Sequence, residues 1–155
     1  MLAAINTFLQ KHLAPHQDQT TIAAEVRCTR VAAAALLVEV MQADDTITPD
    51  ERRALLDGVG SRFSLTAVES AELIAAAEEQ ARAATDLFQA TSQINRQFSP
   101  EQKRWLVEEL WRVAYADGVL HLHEEHLVRK VANLIHVSHL DTLAAKHRVE
   151  TDGRR

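Results

Sequence analysis

Two stretches of the chain, QADDTITPDE at residues 42–51 and YADGVLHLHE at residues 115–124, repeat one pattern. Each runs Ala-Asp, then a short turn, then an apolar residue, then a glutamate at the last position. Helix-forming sequence lies on both sides of each stretch. The two stretches therefore predict two acidic corners between helices.

The sequence around these corners predicts an all-α protein. Thr48, Thr66 and Ser99 each stand three positions before a Glu or Gln, which is typical of helix N-termini. The chain has only 4 Gly and 3 Pro, too few turn residues for a many-stranded fold. These signals predict about eight helices. They cover residues 2–12, 18–43, 49–59, 66–84, 86–97, 100–116, 122–136 and 139–148.

The two corners also predict an internal repeat. Asp44 and Asp117 occupy the same place in the two corners. The separation between Leu37 and Leu110 equals the separation between these two aspartates, and so does that between Ile47 and Leu120. Each half then reads as a long helix, an acidic turn, a helix, a short turn and a helix. We expect two pseudo-repeated three-helix halves in one bundle. The alternative is two similar helix corners of independent origin.

The acidic residues of the corners are predicted to point inward. Asp44 and Asp117 continue the apolar stripes of the preceding helices, and Glu51 and Glu124 lie on the apolar faces of the following ones. A buried carboxylate at a helix C-terminus is unfavourable. We expect compensation from turn amides for the aspartates, from cap amides for the glutamates, or from a bound cation.

The hypothesis that the corners bind metal can be compared with the EF-hand, a known calcium-binding loop. An EF-hand aligned on this pattern would place its first ligands at Val113 and Tyr115, which offer no suitable side-chain oxygen, so an EF-hand is excluded. Structural capping and a weak divalent site (Ca²⁺, Mg²⁺, Mn²⁺ or Zn²⁺) both remain open. The candidate ligands are Asp44, Asp45, Glu51, Asp117, Glu124, His121 and His123.

The second corner is rich in histidine. His123 and His126 are three positions apart, a spacing that can hold one ion, with His121 or Glu125 as the nearest further ligand. The alternative is an exposed polar helix face. A small metal-dependent enzyme built on this segment, including Glu124, is the second functional hypothesis.

Other patterns argue against most enzyme and partner classes. The four glycines form neither a phosphate loop nor a dinucleotide motif, and no hydrolase elbow or H-E-x-x-H is present, so the chain is predicted not to be an enzyme. A net charge of −5 without a basic cluster disfavours nucleic acid. No apolar run has the length of a membrane span, and we expect a cytoplasmic protein.

Aromatic residues concentrate near the second corner. Trp105, Trp111 and Tyr115 share one predicted helix, with Phe88 and Phe98 just before it. We expect them to form core between the halves. A partner groove or a dimer face is the alternative, and a structural homodimer scaffold is the third functional hypothesis.

Two longer stretches carry a family resemblance: LLVEVMQADDTITPDERRALL at 36–56 and LVEELWRVAYADGVLHLHEEHLVRKVANLIHVS at 106–138. They resemble the signatures of the TerB-like tellurite-resistance family, over about residues 20–148. The resemblance implies an all-helical bundle of two pseudo-symmetric halves. It also implies a role in stress resistance and acidic corners that bind divalent metal. Asp45 departs from the glycine usual in the first corner.

The resemblance completes the predicted organisation. We expect an N-terminal helical arm at 1–17, a TerB-like domain at 18–150 and a disordered tail at 151–155. The leading functional hypothesis is a non-catalytic binding or adaptor module of a stress response, acting on an unidentified protein partner. Its acidic helix corners would hold the halves in register and take up a divalent cation.

Overall fold

The structure, a computed structural model, describes the backbone of residues 2–153 and the side chains of residues 20–153. This part of the chain forms seven α-helices and no strand, which confirms the all-α class. The helices are α1 (Leu2–Met41), α2 (Pro49–Phe63), α3 (Ala67–Ala83), α4 (Phe88–Gln97), α5 (Pro100–Ala114), α6 (Leu122–Leu134) and α7 (His139–Asp152).

The helix count differs from the prediction at the N-terminus. Residues 2–12 and 18–43 were predicted as separate helices, but α1 is continuous from Leu2 to Met41 and includes Pro15. A proline removes one backbone hydrogen bond and can bend a helix without ending it. The side chains of the predicted arm at 1–17 lie outside the described residues. The predicted tail at 151–155 begins inside α7, and residues 154–155 also lie outside the described residues.

The predicted helix starts are present as capped N-termini. Thr66 and Ser99 each accept a hydrogen bond from the backbone N–H three residues on, and Glu69 and Gln102 return a bond to the cap. These reciprocal pairs satisfy backbone groups that a helix leaves unbonded at its first turn. These caps therefore fix the residues at which α3 and α5 begin.

The C-terminal half of α1 is the centre of the bundle. Every residue from 32 to 38 is buried, and this segment begins with four alanines. Helix α1 packs against α2, α3, α4, α5 and α6. Small side chains leave room for close approach by neighbours, so one helix can contact several others at interior packing density. The alanine-rich sequence of this segment therefore suits a central helix that several others contact.

Helix α5 is the second buried element and joins the bundle to α7. Trp111 has no exposed surface, and its indole N–H donates to the Thr142 carbonyl oxygen at 3.1 Å. Trp105 packs edge-on against Phe63, with ring centroids 5.6 Å apart. Trp111 therefore belongs to the core, as predicted, whereas the Phe88 side chain is 74% exposed.

The backbones of the two acidic corners match. Asp45 and Gly118 both adopt left-handed conformations, with φ of 62° and 85°. Asp45 N–H donates to the Gln42 carbonyl, and Gly118 N–H donates to the Tyr115 carbonyl. Aspartate tolerates this conformation better than most residues, so the loss of glycine does not change the turn. The duplication of whole three-helix halves stays a prediction.

A separate property concerns membranes. Over residues 2–153, none of the helices is both long enough and apolar enough to cross a bilayer.

The position of Trp111 gives a direct test of this core. We expect Trp111→Ala to lower the free energy of unfolding by about 3–5 kcal/mol, because it removes a large buried side chain. Phe88→Ala is the control, and its exposed ring should contribute less than about 0.5 kcal/mol. Urea denaturation measures both. Equal effects of the two substitutions would contradict the described packing.

Candidate metal centre

Four helix ends meet at one place in the bundle. Asp44 follows the end of α1, and Asp117 follows the end of α5. Glu51 and Glu124 are the third residues of α2 and α6. The sequence predicted that the acidic residues of each corner would point inward. The structure goes further, because it joins the two corners into a single cluster.

The cluster contains three ligand atoms at metal-binding spacing. Asp44 of the first corner and His121 and Glu124 of the second each offer one atom, and these atoms lie within 4.8 Å of one another. Ligands bound to one ion at about 2.1–2.5 Å are separated by at most about 5 Å. A single ion could therefore contact both corners at once.

The two glutamates are the most unusual residues of the cluster. Glu51 and Glu124 have 0% relative exposure, and none of their four carboxyl oxygens has a hydrogen-bond partner among residues 20–153. The prediction that Glu51 reaches back to its cap amide was wrong. Thr48 Oγ1 does accept the Glu51 N–H at 3.1 Å, but the Glu51 side chain points away from the cap and does not return the bond.

A third buried glutamate, unlike these two, has a basic partner that offsets the cost of burying its charge. Glu109 is 5% exposed and forms an ion pair with Arg112. Within residues 20–153, Glu51 and Glu124 have no such basic partner. A buried charge without a partner is strongly unfavourable, so these two side chains need a proton or a cation.

Burial and mutual repulsion raise the pKa of both glutamates. Burial raises the pKa of Glu124 to about 8, and the negative charges of Asp44, Glu51 and Asp117 contribute to the shift. Burial also raises the pKa of Glu51 above its ordinary value, with Asp44 the next cause.

Each aspartate uses one oxygen for the turn and one for the cluster. Asp117 Oδ1 accepts the Val119 N–H at 3.0 Å, and Asp44 Oδ1 accepts the Thr46 N–H at 3.4 Å. Their Oδ2 atoms lie 3.7 Å and 3.4 Å from His121 Nε2. The expected turn bonds are therefore present, and they leave one oxygen of each aspartate available to a ligand.

Two of the candidate ligands lie away from this cluster. The Asp45 side chain is exposed on the first turn, and the His123 side chain is exposed on the first turn of α6. His126 is exposed as well. The structure therefore brings together Asp44, Glu51, Asp117, His121 and Glu124, but neither Asp45 nor His123. The sequence could not separate His121 from His123, because the choice depends on the residue at which α6 begins.

The donor set fits a divalent cation. Carboxylate oxygens and an imidazole nitrogen are common metal ligands, and the unpartnered buried oxygens would lose their desolvation cost on coordination. The N-termini of α2 and α6 carry the glutamates in their first turns, where the helix dipole favours negative charge. A metal bound here would draw on both corners.

Comparisons with known proteins agree with this fold. The family model described as "Tellurite resistance protein TerB" matches residues 30–147, a span that includes the whole cluster. A solved structure of a protein of unknown function from Porphyromonas gingivalis W83 superposes with a TM-score of 0.61 at 18% identity. The match covers 81% of this chain and 95% of that one, and it supports the fold alone. No curated protein matches the chain.

The raised pKa of Glu124 predicts a pH dependence in metal-free buffer. An unfolded glutamate releases its proton near pH 4.5, whereas folded Glu124 keeps it to about pH 8. Between these values the folded state binds more protons, so the free energy of unfolding should fall as pH rises. Glu124→Gln cannot ionise, and we expect it to flatten this fall and to be more stable than wild type near pH 8. Urea denaturation with a chelator present, at several pH values, measures the effect.

The neighbouring residue is the matched control for that experiment. Glu125 forms ion pairs with Arg129 and Lys146, and its pKa is lowered by these hydrogen bonds. Glu125→Gln should therefore leave the fall in stability between about pH 5 and 8 in place. Identical slopes for wild type and Glu124→Gln would contradict the assignment of a buried proton to the cluster.

Proposed function

Because the chain belongs to the tellurite resistance protein TerB family, we propose that it is a non-catalytic binding module of a stress response that takes up one divalent cation between its acidic corners. One observation carries the proposal: Glu51 and Glu124 are fully buried, and in the described part of the chain their carboxyl oxygens have no hydrogen-bond partner. A cation would supply the missing positive charge and displace the proton that these groups otherwise need.

The proposed ion would connect the ends of four helices. Asp44 and Asp117 hold the turns after α1 and α5, while Glu51 and Glu124 belong to α2 and α6. An ion that contacts ligands from both corners restrains these elements relative to one another. Binding to the folded state alone also raises stability by mass action. The cation would thus act as a ligand-dependent clamp.

The surface around the clamp supports an adaptor role. Ile47 and Val119 lie in the two turns, and Leu122 begins α6, with side chains 44%, 56% and 76% exposed. These apolar side chains flank the acidic residues in sequence and would shift with the turns. Exposed apolar groups with polar neighbours are a common feature of protein interaction sites. We propose that cation binding sets the arrangement of this surface for a protein partner.

The alternative of a metal-dependent enzyme has less support. It relies on His121, His123, Glu124 and His126 acting together, yet His123 and His126 are exposed and lie outside the cluster. A nearby substrate cavity would be needed as well. The cavity lined by Asp50, Asp57 and Arg112 is on the α2–α5–α7 side, and none of the three candidate ligands lines it.

Adjacent aspartates provide a sharp test of cation uptake. Asp44 is in the cluster, whereas Asp45 is exposed outside it. At 1 mM of an ion with a dissociation constant of about 10 µM, the free energy of unfolding of wild type should rise by about 2.7 kcal/mol. We expect Asp44→Asn to lose this increase and Asp45→Asn to keep it. Calorimetric melting of chelator-treated protein with Ca²⁺, Mg²⁺, Mn²⁺ or Zn²⁺ measures the difference.

The melting temperatures of the same variants without metal provide a second test. Asp44→Asn removes a negative charge that repels both buried glutamates, so it should melt at a higher temperature than wild type in chelator. If no ion stabilises wild type, the cation-binding proposal is wrong. If Asp45→Asn abolishes stabilisation as fully as Asp44→Asn, the ion binds elsewhere on the acidic surface.

A further inference from the structure

The two corners differ at the residue that precedes their second helix. Thr48 and His121 occupy the equivalent positions, and both have extended backbones, with φ and ψ of −89° and 154° and of −86° and 147°. Thr48 caps α2 through its hydroxyl. His121 makes no capping hydrogen bond to α6. The second corner therefore lacks a favourable cap at the one position where the first corner has it.

The His121 ring is directed at the carboxylates instead. Its Nε2 lies 3.4 Å from Asp44 Oδ2 and 3.7 Å from Asp117 Oδ2, and it belongs to the same ligand group as Glu124. His121 and Glu124 are thus the residues of the second corner whose ligand atoms lie close to Asp44 of the first. The His121 side chain is 43% exposed, while that of Asp44 is 12% exposed, so the ring stands on the solvent side of the cluster.

The imidazole nitrogen of His121 affects which metal ions the cluster should prefer. Ca²⁺ and Mg²⁺ are hard ions that favour sites made of oxygen ligands alone. Imidazole suits zinc and the neighbouring first-row transition metals. Asp44, His121 and Glu124 provide two carboxylates and one imidazole, and three protein ligands with a further position open to water is a common zinc arrangement.

The burial of Glu124 supplies an independent reason to place a ligand here. Glu124 has 0% exposure, and neither of its carboxyl oxygens has a hydrogen-bond partner within the residues whose side chains are described. It is also one of the three grouped ligands. Exposed acidic clusters can remain hydrated without an ion, but this carboxylate lacks the solvent contact for that. An ion held between His121 and Glu124 could enter from solvent on the His121 side and would be enclosed by protein on the Glu124 side.

We propose that His121 makes the shared site selective for a first-row transition-metal ion, of the zinc and cobalt kind, over Ca²⁺ and Mg²⁺. This inference rests on the proposed function, since it assumes that the cluster takes up a divalent cation. It adds that one ion is held jointly by Asp44, His121 and Glu124. It also assigns to His121 the role of a specificity-determining ligand in place of a helix cap.

The test replaces His121 with the residue of the other corner. His121→Thr restores a favoured cap to α6 and removes the nitrogen, so the variant is expected to fold. His123→Thr is the matched control, because His123 is two residues away, exposed and outside the cluster. Isothermal titration calorimetry on chelator-treated protein gives affinities for Zn²⁺, Co²⁺, Ca²⁺ and Mg²⁺. The visible absorption of Co²⁺ reports its ligands separately from affinity.

We expect wild type and His123→Thr to bind Zn²⁺ and Co²⁺ at least about tenfold more tightly than Ca²⁺ or Mg²⁺. In His121→Thr, Zn²⁺ and Co²⁺ affinity should fall about tenfold or more, with a changed Co²⁺ spectrum and little change for Ca²⁺. Equal binding of Ca²⁺ and Zn²⁺ by wild type would overturn the selectivity and leave the proposed function intact. An unchanged preference in His121→Thr, or an equal loss in His123→Thr, would also overturn it. Failure of every ion to bind wild type would instead refute the proposed function.

Discussion

The side chains of Glu51 and Glu124 are enclosed where four helix ends meet, and neither carboxylate forms a hydrogen bond or an ion pair with any residue from 20 to 153. An ionised carboxylate in such a place costs several kcal/mol after relaxation. A domain of ordinary stability has only about 5–15 kcal/mol in total. Two unpaired charges are therefore incompatible with a stable fold. The cluster must hold protons or a cation, and its surroundings follow from that requirement.

This constraint connects the structural and the ligand-binding interpretations of the acidic corners. Asp44 and Asp117 each satisfy a turn amide with Oδ1 and present Oδ2 toward His121. The same residue can thus end a helix corner and contribute to a shared site. Protons can stabilise the cluster without metal, and a cation can replace them. The module would then have a metal-free form that is folded and a metal-bound form that is more restrained.

Much of the fold could be predicted from local signals in the sequence. The caps at Thr66 and Ser99 and the inward stripes of the acidic residues depend on residues a few positions apart, which sequence shows directly. The continuous α1 could not be predicted from the same signals. Pro15 favours a break, and whether a helix continues through a proline depends on the balance of one lost hydrogen bond against the rest of the helix.

The residues of the cluster could be predicted from the sequence only in part, because local signals do not show which helices pack together. The sequence identified the carboxylates of each corner, but the meeting of Asp44 with His121 and Glu124 depends on how α1 packs against α5 and α6. Tertiary packing of this kind leaves no local signal. The missing cap of α6 is a local signal, since His121 stands where the first corner has Thr48. It became informative only when the ring was seen beside both aspartates.

We propose that one cation binds between the two corners. The most direct measurement is anomalous diffraction from crystals of the protein grown with Zn²⁺, recorded on both sides of the zinc absorption edge. We expect one strong anomalous peak in contact with Asp44, His121 and Glu124. A peak found only at exposed histidines such as His123 and His126, or no peak within the cluster, would contradict it.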